Sequence, residues 1–218
     1  MTTHAERMVR FDHADLYVVI TESFCGGRSA LDVLDAVLDA GVTLIQLREK
    51  DWDDCRLYRH ACQFRERTAR VGALLIIDDR IDMALAAEAD GVHLGQTDLP
   101  IEAARGIAPD LIIGASTHNL DEALAAQAAG ASYLNIGPIF ATQTKTGLGS
   151  AVGPDMITAI APRLRVPFTV MGGIKEHNIH EVITRGARRA AVVTAVTQDR
   201  DPGSAARRLR EAFSKPRC

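Results

Sequence analysis

Short apolar runs alternate with Ala-rich amphipathic segments along the whole chain. The runs 16–20, 43–47, 73–78, 91–94, 111–115, 133–137, 167–171 and 190–195 are mostly apolar at successive positions, as parallel strands covered on both faces must be. Helical segments are predicted between and after them, near 29–39, 53–70, 80–88, 100–107, 119–129, 154–162, 176–185 and 202–214. Gly41, Gly72, Gly130 and Gly186 fall at helix-to-strand junctions, where a C′ residue needs positive φ. Asn119 followed by Glu122 forms a capping pair at one helix start. Eight such units in unbroken series predict a single closed (β/α)8 TIM barrel over residues 1–218, with 1–15 a polar lead-in. An open doubly wound sheet is the alternative if one strand is miscounted. Dividing 218 residues by eight leaves about 27 per unit, enough for strand, loop, helix and loop.

Composition narrows the function classes. A net charge of −3 and a pI near 6.2 argue against a nucleic-acid surface; the basic cluster Arg207, Arg208, Arg210, Lys215 and Arg217 reads as a solvated helix face. No apolar run approaches ~18 residues, so no membrane-spanning segment is expected. Residues 1–15 lack an apolar signal core, which predicts a cytoplasmic protein. Cys25, Cys55, Cys62 and Cys218 show no Cys-x-x-Cys spacing and read as reduced thiols.

In a (β/α)8 barrel the chemistry gathers where strands run into the loops that lead to helices. The second strand ends Gln46-Leu47-Arg48-Glu49-Lys50. Alternation sends Gln46, Arg48 and Lys50 to one side and Leu47 and Glu49 to the other, so two cations and an amide converge as an anion site. The third strand ends in Asp78-Asp79-Arg80 and the fourth leads to Asp98. Each aspartate is either a helix N-cap or, for Asp79 with Asp98, part of a hard divalent site completed by substrate phosphate, a pattern that suits Mg²⁺. Ser116, Thr117 and His118 follow the fifth strand as ligand donors or caps. After the sixth strand, Gly137-Pro138 opens a loop holding Thr142, Thr144, Lys145 and Thr146, donors for oxyanions without the spacing of a P-loop. Gly172-Gly173 after the seventh strand lets backbone N–H groups approach a phosphate, and the end of the eighth completes the cup. His177 and His180, three apart on a predicted helix, read as surface residues.

With all eight strand ends in view, the chain resembles the thiamine-phosphate synthase (thiamine-phosphate pyrophosphorylase) family over roughly residues 16–203. The resemblance is carried by Gln46-x-Arg48-x-Lys50, Asp79-Arg80, His93-Leu94-Gly95-Gln96-x-Asp98-Leu99-Pro100 and Ile113-Gly114-x-Ser116-Thr117-His118. Gly137-Pro138-x-Phe140-x-Thr142-x-Thr144-Lys145 and Gly172-Gly173-Ile174 complete it. It implies a transferase joining hydroxymethylpyrimidine pyrophosphate to a thiazole phosphate with release of pyrophosphate. By the same resemblance Gln46 to Lys50 (Gln46, Leu47, Arg48, Glu49, Lys50), Asp78, Ser116 and Lys145 hold the pyrimidine pyrophosphate, and Asp79 and Asp98 hold Mg²⁺. Thr142, Gln143, Thr144, Gly173, Val193 and Thr194 hold the thiazole phosphate. Arg48, Lys50, Ser116 and Lys145 carry the catalytic work, the partners are small molecules, and a homodimer is implied. Three positions depart from the family pattern: Asp78 stands where Asn is usual, Ala187-Arg188-Arg189 where Ala-Asp-Gly is frequent, and Thr194 where Ser is frequent. A thiazole tautomerase-like relative on the same barrel would need little of this charged apparatus. A Schiff-base aldolase would need Lys145 on a strand rather than several residues beyond one.

Overall fold

The computed structural model describes residues 2–142 and 151–214. Its strands are β1 (Leu16–Ile20), β2 (Leu44–Leu47), β3 (Leu74–Asp78), β4 (Gly91–Leu94), β5 (Ile112–Thr117), β6 (Tyr133–Ile136), β7 (Phe168–Met171) and β8 (Ala190–Val192). They pair in parallel in chain order, and β1 pairs with β8 to close the barrel. The outer ring includes helices α2 (Ala30–Asp39), α3 (Asp54–Arg70), α4 (Ile81–Ala86), α5 (Ile101–Ile107), α6 (Leu120–Ala128), α7 (Asp155–Ile160), α8 (Ile179–Thr184), α9 (Thr194–Thr197) and α10 (Pro202–Ser214). Among the described residues no helix is long and apolar enough to cross a membrane.

The period of two sorts each strand into a core-facing and a helix-facing set. Leu16, Val18, Ile20, Ile45, Leu47, Leu75, Ile77 and Val92 pack outward against the helices. Tyr17, Val19, Leu44, Leu74, Ile76, Ile112, Tyr133 and Ala191 form a separate interior cluster. Gly114 is part of the interior design: a Cβ there would lie 2.2 Å from the Tyr133 ring, so the bulky phenol of β6 occupies the space its neighbour on β5 leaves.

The four junction glycines all have positive φ, between 71° and 100°, and the Asn119 side chain accepts the Glu122 N–H at the start of α6. Two boundaries differ from expectation. The eighth strand stops at Val192, and Thr194–Thr197 turns into a short helix. The lead-in contains helix α1 (His4–Asp12), capped by a Thr3–Glu6 capping box.

Helix α1 closes the floor of the barrel. Phe11 is fully buried and stacks on Tyr133 with centroids 4.6 Å apart. Arg189 lies over the Phe11 ring and donates to the Phe11 carbonyl (2.9 Å) and the Asp12 carboxylate (2.8 Å), which gives the second arginine of the unusual Ala187-Arg188-Arg189 segment a structural task. Asp90, nearly inaccessible, accepts from Arg65 (2.6 Å), Arg10 (3.3 Å) and the Leu75 N–H. Removing one partner of so buried a pair costs about 3–5 kcal/mol. The floor is therefore a fixed platform, and the opposite end of the barrel is left for chemistry.

Candidate active site

The C-terminal ends of the strands enclose a cavity of about 1070 Å³. Gln46, Arg48 and Lys50 all line it. Leu47 is buried among the helix-facing residues, and Glu49 turns away to accept the Glu22 N–H at 2.6 Å. The strand's own alternation thus keeps Leu47 and Glu49, expected to bind substrate, from placing their side chains among those lining the cavity. Burial raises the Glu49 carboxyl to about 7, with the Glu22 N–H pulling it down and the Glu22 carboxylate pushing it up.

Asp78 ends β3 in the inward register with its carboxylate largely out of solvent. It lies 3.4 Å from the Arg48 guanidinium and 3.1 Å from Lys50 Nζ. Burial raises its pKa above the ordinary carboxylate value, while Lys50 and Arg48 pull it back. Lys50 also donates to Asp79. Its ammonium loses hydration in this setting, but the two aspartates override that and raise its pKa. Asp79 adopts φ = 58°, a left-handed conformation that non-glycine residues adopt at a cost of roughly 1–3 kcal/mol. Its N–H donates to the His93 carbonyl at 2.8 Å, which holds the turn. Arg80 points away and is taken by Asp54 (2.7 Å) and Asp82 (2.6 Å).

Neither aspartate of this turn caps α4, whose start has no side-chain cap, and Asp98 does not cap α5. Asp98 instead accepts the Gly95 N–H (2.6 Å) within its own loop. Burial raises its carboxyl above the usual range, and a hydrogen bond with Asp79 raises it further. Two carboxyl groups in contact repel when both are ionised, so the pair fits a cation. Among the described residues no cluster of three or more ligand-type side chains converges. A two-oxygen donor set suits a hard divalent ion whose other positions go to water and substrate phosphate.

A hydrogen-bonded line rises from the barrel interior to this cavity. The Gln46 side-chain amide donates to Tyr17 Oη (2.7 Å), and Tyr17 Oη lies 3.0 Å from Tyr133 Oη. His93 Nδ1 is 2.9 Å from Tyr133 Oη, and its Nε2 is 2.9 Å from Ser116 Oγ. Burial raises both phenols far from ionisation at neutral pH. With the amide donating at one end, each hydroxyl passes its proton upward. In the tautomer with its proton on Nε2, His93 donates to Ser116 Oγ and leaves the serine hydroxyl proton to the cavity. His93, quoted from the sequence only within a motif and given no role, and Asn135, which accepts from Thr169 at 2.8 Å, were not among the expected site residues. Both are polar residues in the inward register of apolar strands, and that parity was the available signal.

Across the mouth the character changes. Gly173, Val193 and Thr194 line the cavity together with Lys175, also missed by the sequence reading. Gly172 and Gly173 have φ of 105° and 61°, and a Cβ on either would press on the chain after β6: 2.6 Å from Pro138 Cα and 2.5 Å from the Ala141 carbonyl, respectively. The Ile139 and Phe140 N–H groups donate to the Met171 and Gly172 carbonyls. The glycine pair is thus required by packing of the β6 loop, beyond any approach to phosphate. Thr142 lines the cavity; Gln143, Thr144, Lys145 and Thr146 lie outside the described residues. His118 is bound to Glu122 at 2.8 Å, and His177 lies in the turn before α8 rather than on it, so His177 and His180 do not share the helix.

The model of the family described as thiamine monophosphate synthase matches residues 16–196. A thiamine-phosphate synthase of Chloroflexus aurantiacus is 42% identical over 199 residues, 91% of this chain and 92% of that protein. One from Moorella thermoacetica is 44% identical over 93% of this chain and 97% of its own length. The solved structure of a thiamine phosphate pyrophosphorylase from Pyrococcus furiosus superimposes with a TM-score of 0.87 at 35% identity, covering 94% of this chain and 98% of that one.

Proposed function

The chain belongs to the thiamine monophosphate synthase family, and from that premise we propose how its own residues join the two rings. The activity is thiamine-phosphate synthase: a transferase that condenses hydroxymethylpyrimidine pyrophosphate with hydroxyethylthiazole phosphate to give thiamine phosphate and pyrophosphate. The tautomerase-like alternative is not favoured, because the relatives above carry the synthase name.

The carbon–oxygen bond between the pyrimidine methylene and pyrophosphate breaks, and its electron pair leaves with pyrophosphate. The thiazole nitrogen lone pair then forms the new carbon–nitrogen bond. That nitrogen carries no proton, so no general base is needed, and the difficulty lies in the leaving group. Arg48, Lys50 and Lys145 neutralise the charge that grows on pyrophosphate. Asp79 and Asp98 would hold Mg²⁺, which supplies Lewis-acid stabilisation of the same charge. Ser116, aimed by His93, donates a hydrogen bond to the pyrimidine substrate. The electron-rich aminopyrimidine supports positive charge at its methylene, which favours a dissociative path. The closed floor and the cavity walls keep water from that cation. Thr142, Gln143, Thr144, Gly173, Val193 and Thr194 hold the thiazole phosphate. We further place the enzyme in the cytoplasm as a homodimer, which the family resemblance and the phosphorylated substrates favour.

The observation that carries this reading is the meeting of Arg48, Lys50, Asp79 and Asp98 at the ends of three adjacent strands. The test is incubation of the purified protein with both heterocycles and Mg²⁺. Thiamine phosphate and pyrophosphate should form together and stop on chelation. Undiminished turnover after chelation removes the metal assignment.

A further inference from the structure

Lys175 stands two residues beyond Gly173, in a turn clamped by Asn178. The Asn178 side chain accepts the Lys175 N–H (2.7 Å) and donates to the Gly173 carbonyl (3.0 Å). Lys175 Nζ donates to Thr194 Oγ1 at 2.7 Å, tying the β7 turn to the start of α9. The residue also lines a recess of about 430 Å³ that adjoins the main cavity and shares Thr194 with it.

Among the described residues, the other arginine and lysine of the cavity are already matched: Arg48 faces Asp78, and Lys50 faces Asp78 and Asp79. No carboxylate forms a salt bridge with Lys175 among the described residues. Burial alone lowers its pKa. A partly desolvated ammonium without a counter-charge marks a place where an anion is missing. Because Thr194 Oγ1 accepts from Lys175, its own proton is left to donate to a ligand. Position decides which anion. In a ring of eight strands β7 and β8 stand opposite β3 and β4, which carry Asp79 and Asp98, so this end must neutralise charge without the carboxylate-bound metal. A phosphomonoester at neutral pH carries most of two charges and needs a fixed cation.

We propose that Lys175 is a specificity-determining residue for the thiazole substrate, its ammonium pairing with the phosphomonoester beside Gly173 and Thr194. This rests on reading the β7–β8 end as the thiazole phosphate cup. Lys175 selects the phosphorylated thiazole over the free alcohol and has no part in expelling pyrophosphate.

Steady-state kinetics of the full chain test it, with Lys175→Met, Lys175→Arg and Thr194→Val measured side by side. Lys175→Met should raise KM for thiazole phosphate about 10- to 100-fold, the scale of one hydrogen bond to a charged group. It should reduce the preference for thiazole phosphate over the alcohol by the same factor and leave KM for the pyrimidine pyrophosphate within about twofold. Lys175→Arg should recover much of the loss. If Thr194→Val raises the thiazole phosphate KM and Lys175→Met does not, the cup stands and the role of Lys175 is overturned. If neither moves it, or if Lys175→Met raises the pyrimidine KM instead, the assignment of the cup itself fails and the inference with it.

Discussion

The two sides of the barrel mouth, each proposed to hold a phosphate, are built by opposite means. The β2–β4 side is dense in compensated charge: Asp78 and Asp79 meet Arg48 and Lys50 within ion-pair distance, and Asp98 shares a hydrogen bond with Asp79. The β7–β8 side has glycines forced by close packing, a hydroxyl, and a lysine that bonds to that hydroxyl and, among the described residues, to no carboxylate. Matched charge of both signs can accept a metal and release a leaving group whose charge grows during reaction. A fixed cup with one cation suits a group that keeps its charge throughout. The proposed function accordingly assigns bond breaking to one side and recognition to the other.

The largest expected effect falls on the reacting side. Asp79→Ala should lower kcat/KM by about 10³-fold, the upper scale for losing one electrostatic contributor to a transition state, and should raise the Mg²⁺ needed for half-maximal rate. A loss under tenfold would break the comparison. On the opposite side, Gly173→Ala forces a side chain at φ = 61° against the Ala141 carbonyl. It should cost roughly 1–3 kcal/mol in denaturant unfolding and raise KM for thiazole phosphate more than KM for the pyrimidine. Equal rises would mean that the two sides are not separate.

Smaller effects sharpen the picture. Asp78→Asn removes one negative charge beside Arg48 and Lys50, so the local potential becomes more positive and less welcoming to a cation. The variant should stay active but need roughly three- to tenfold more Mg²⁺ for half-maximal rate, the scale of a partly screened charge; an unchanged requirement would detach Asp78 from the metal side. Glu49 gives the smallest signal. Its folded pKa, about 7, exceeds the ordinary 4.5, so the folded state holds the proton longer than the unfolded chain does. Unfolding free energy attributable to Glu49 therefore falls as pH rises from about 4.5 to about 7. Glu49→Gln, still able to accept the Glu22 N–H, should gain stability relative to the parent between pH 5 and pH 8. Denaturation midpoints at both values check this, and a constant gap would contradict it.

The barrel was legible because buried parallel strands announce themselves as continuous apolar runs, and the glycines at 41, 72, 130 and 186 punctuate them. Helix α1 was not, since its anchor Phe11 finds its partners Tyr133 and Arg189 more than a hundred residues away. The eighth strand was read too long because Val193-Thr194-Ala195 carries no charged or turn-forming residue while the backbone has turned into α9. At the site, period-two alternation correctly brought Gln46, Arg48 and Lys50 into the cavity. The same alternation excluded the side chains of Leu47 and Glu49, which entered only as neighbours in a motif. Lys175 sits in a polar run, Lys175-Glu176-His177-Asn178, where one cation looks like any surface lysine. Only the absence of a carboxylate partner among the described residues sets it apart, and that is a fact of three dimensions.

The central claim is that the two phosphate sites differ in their need for metal. Calorimetric titration of the protein with each substrate, before and after chelation of divalent ions, tests it directly. The account predicts that pyrimidine pyrophosphate binding weakens strongly when Mg²⁺ is removed while thiazole phosphate binding is unchanged within about twofold. A parallel loss of affinity for both substrates on chelation would contradict it.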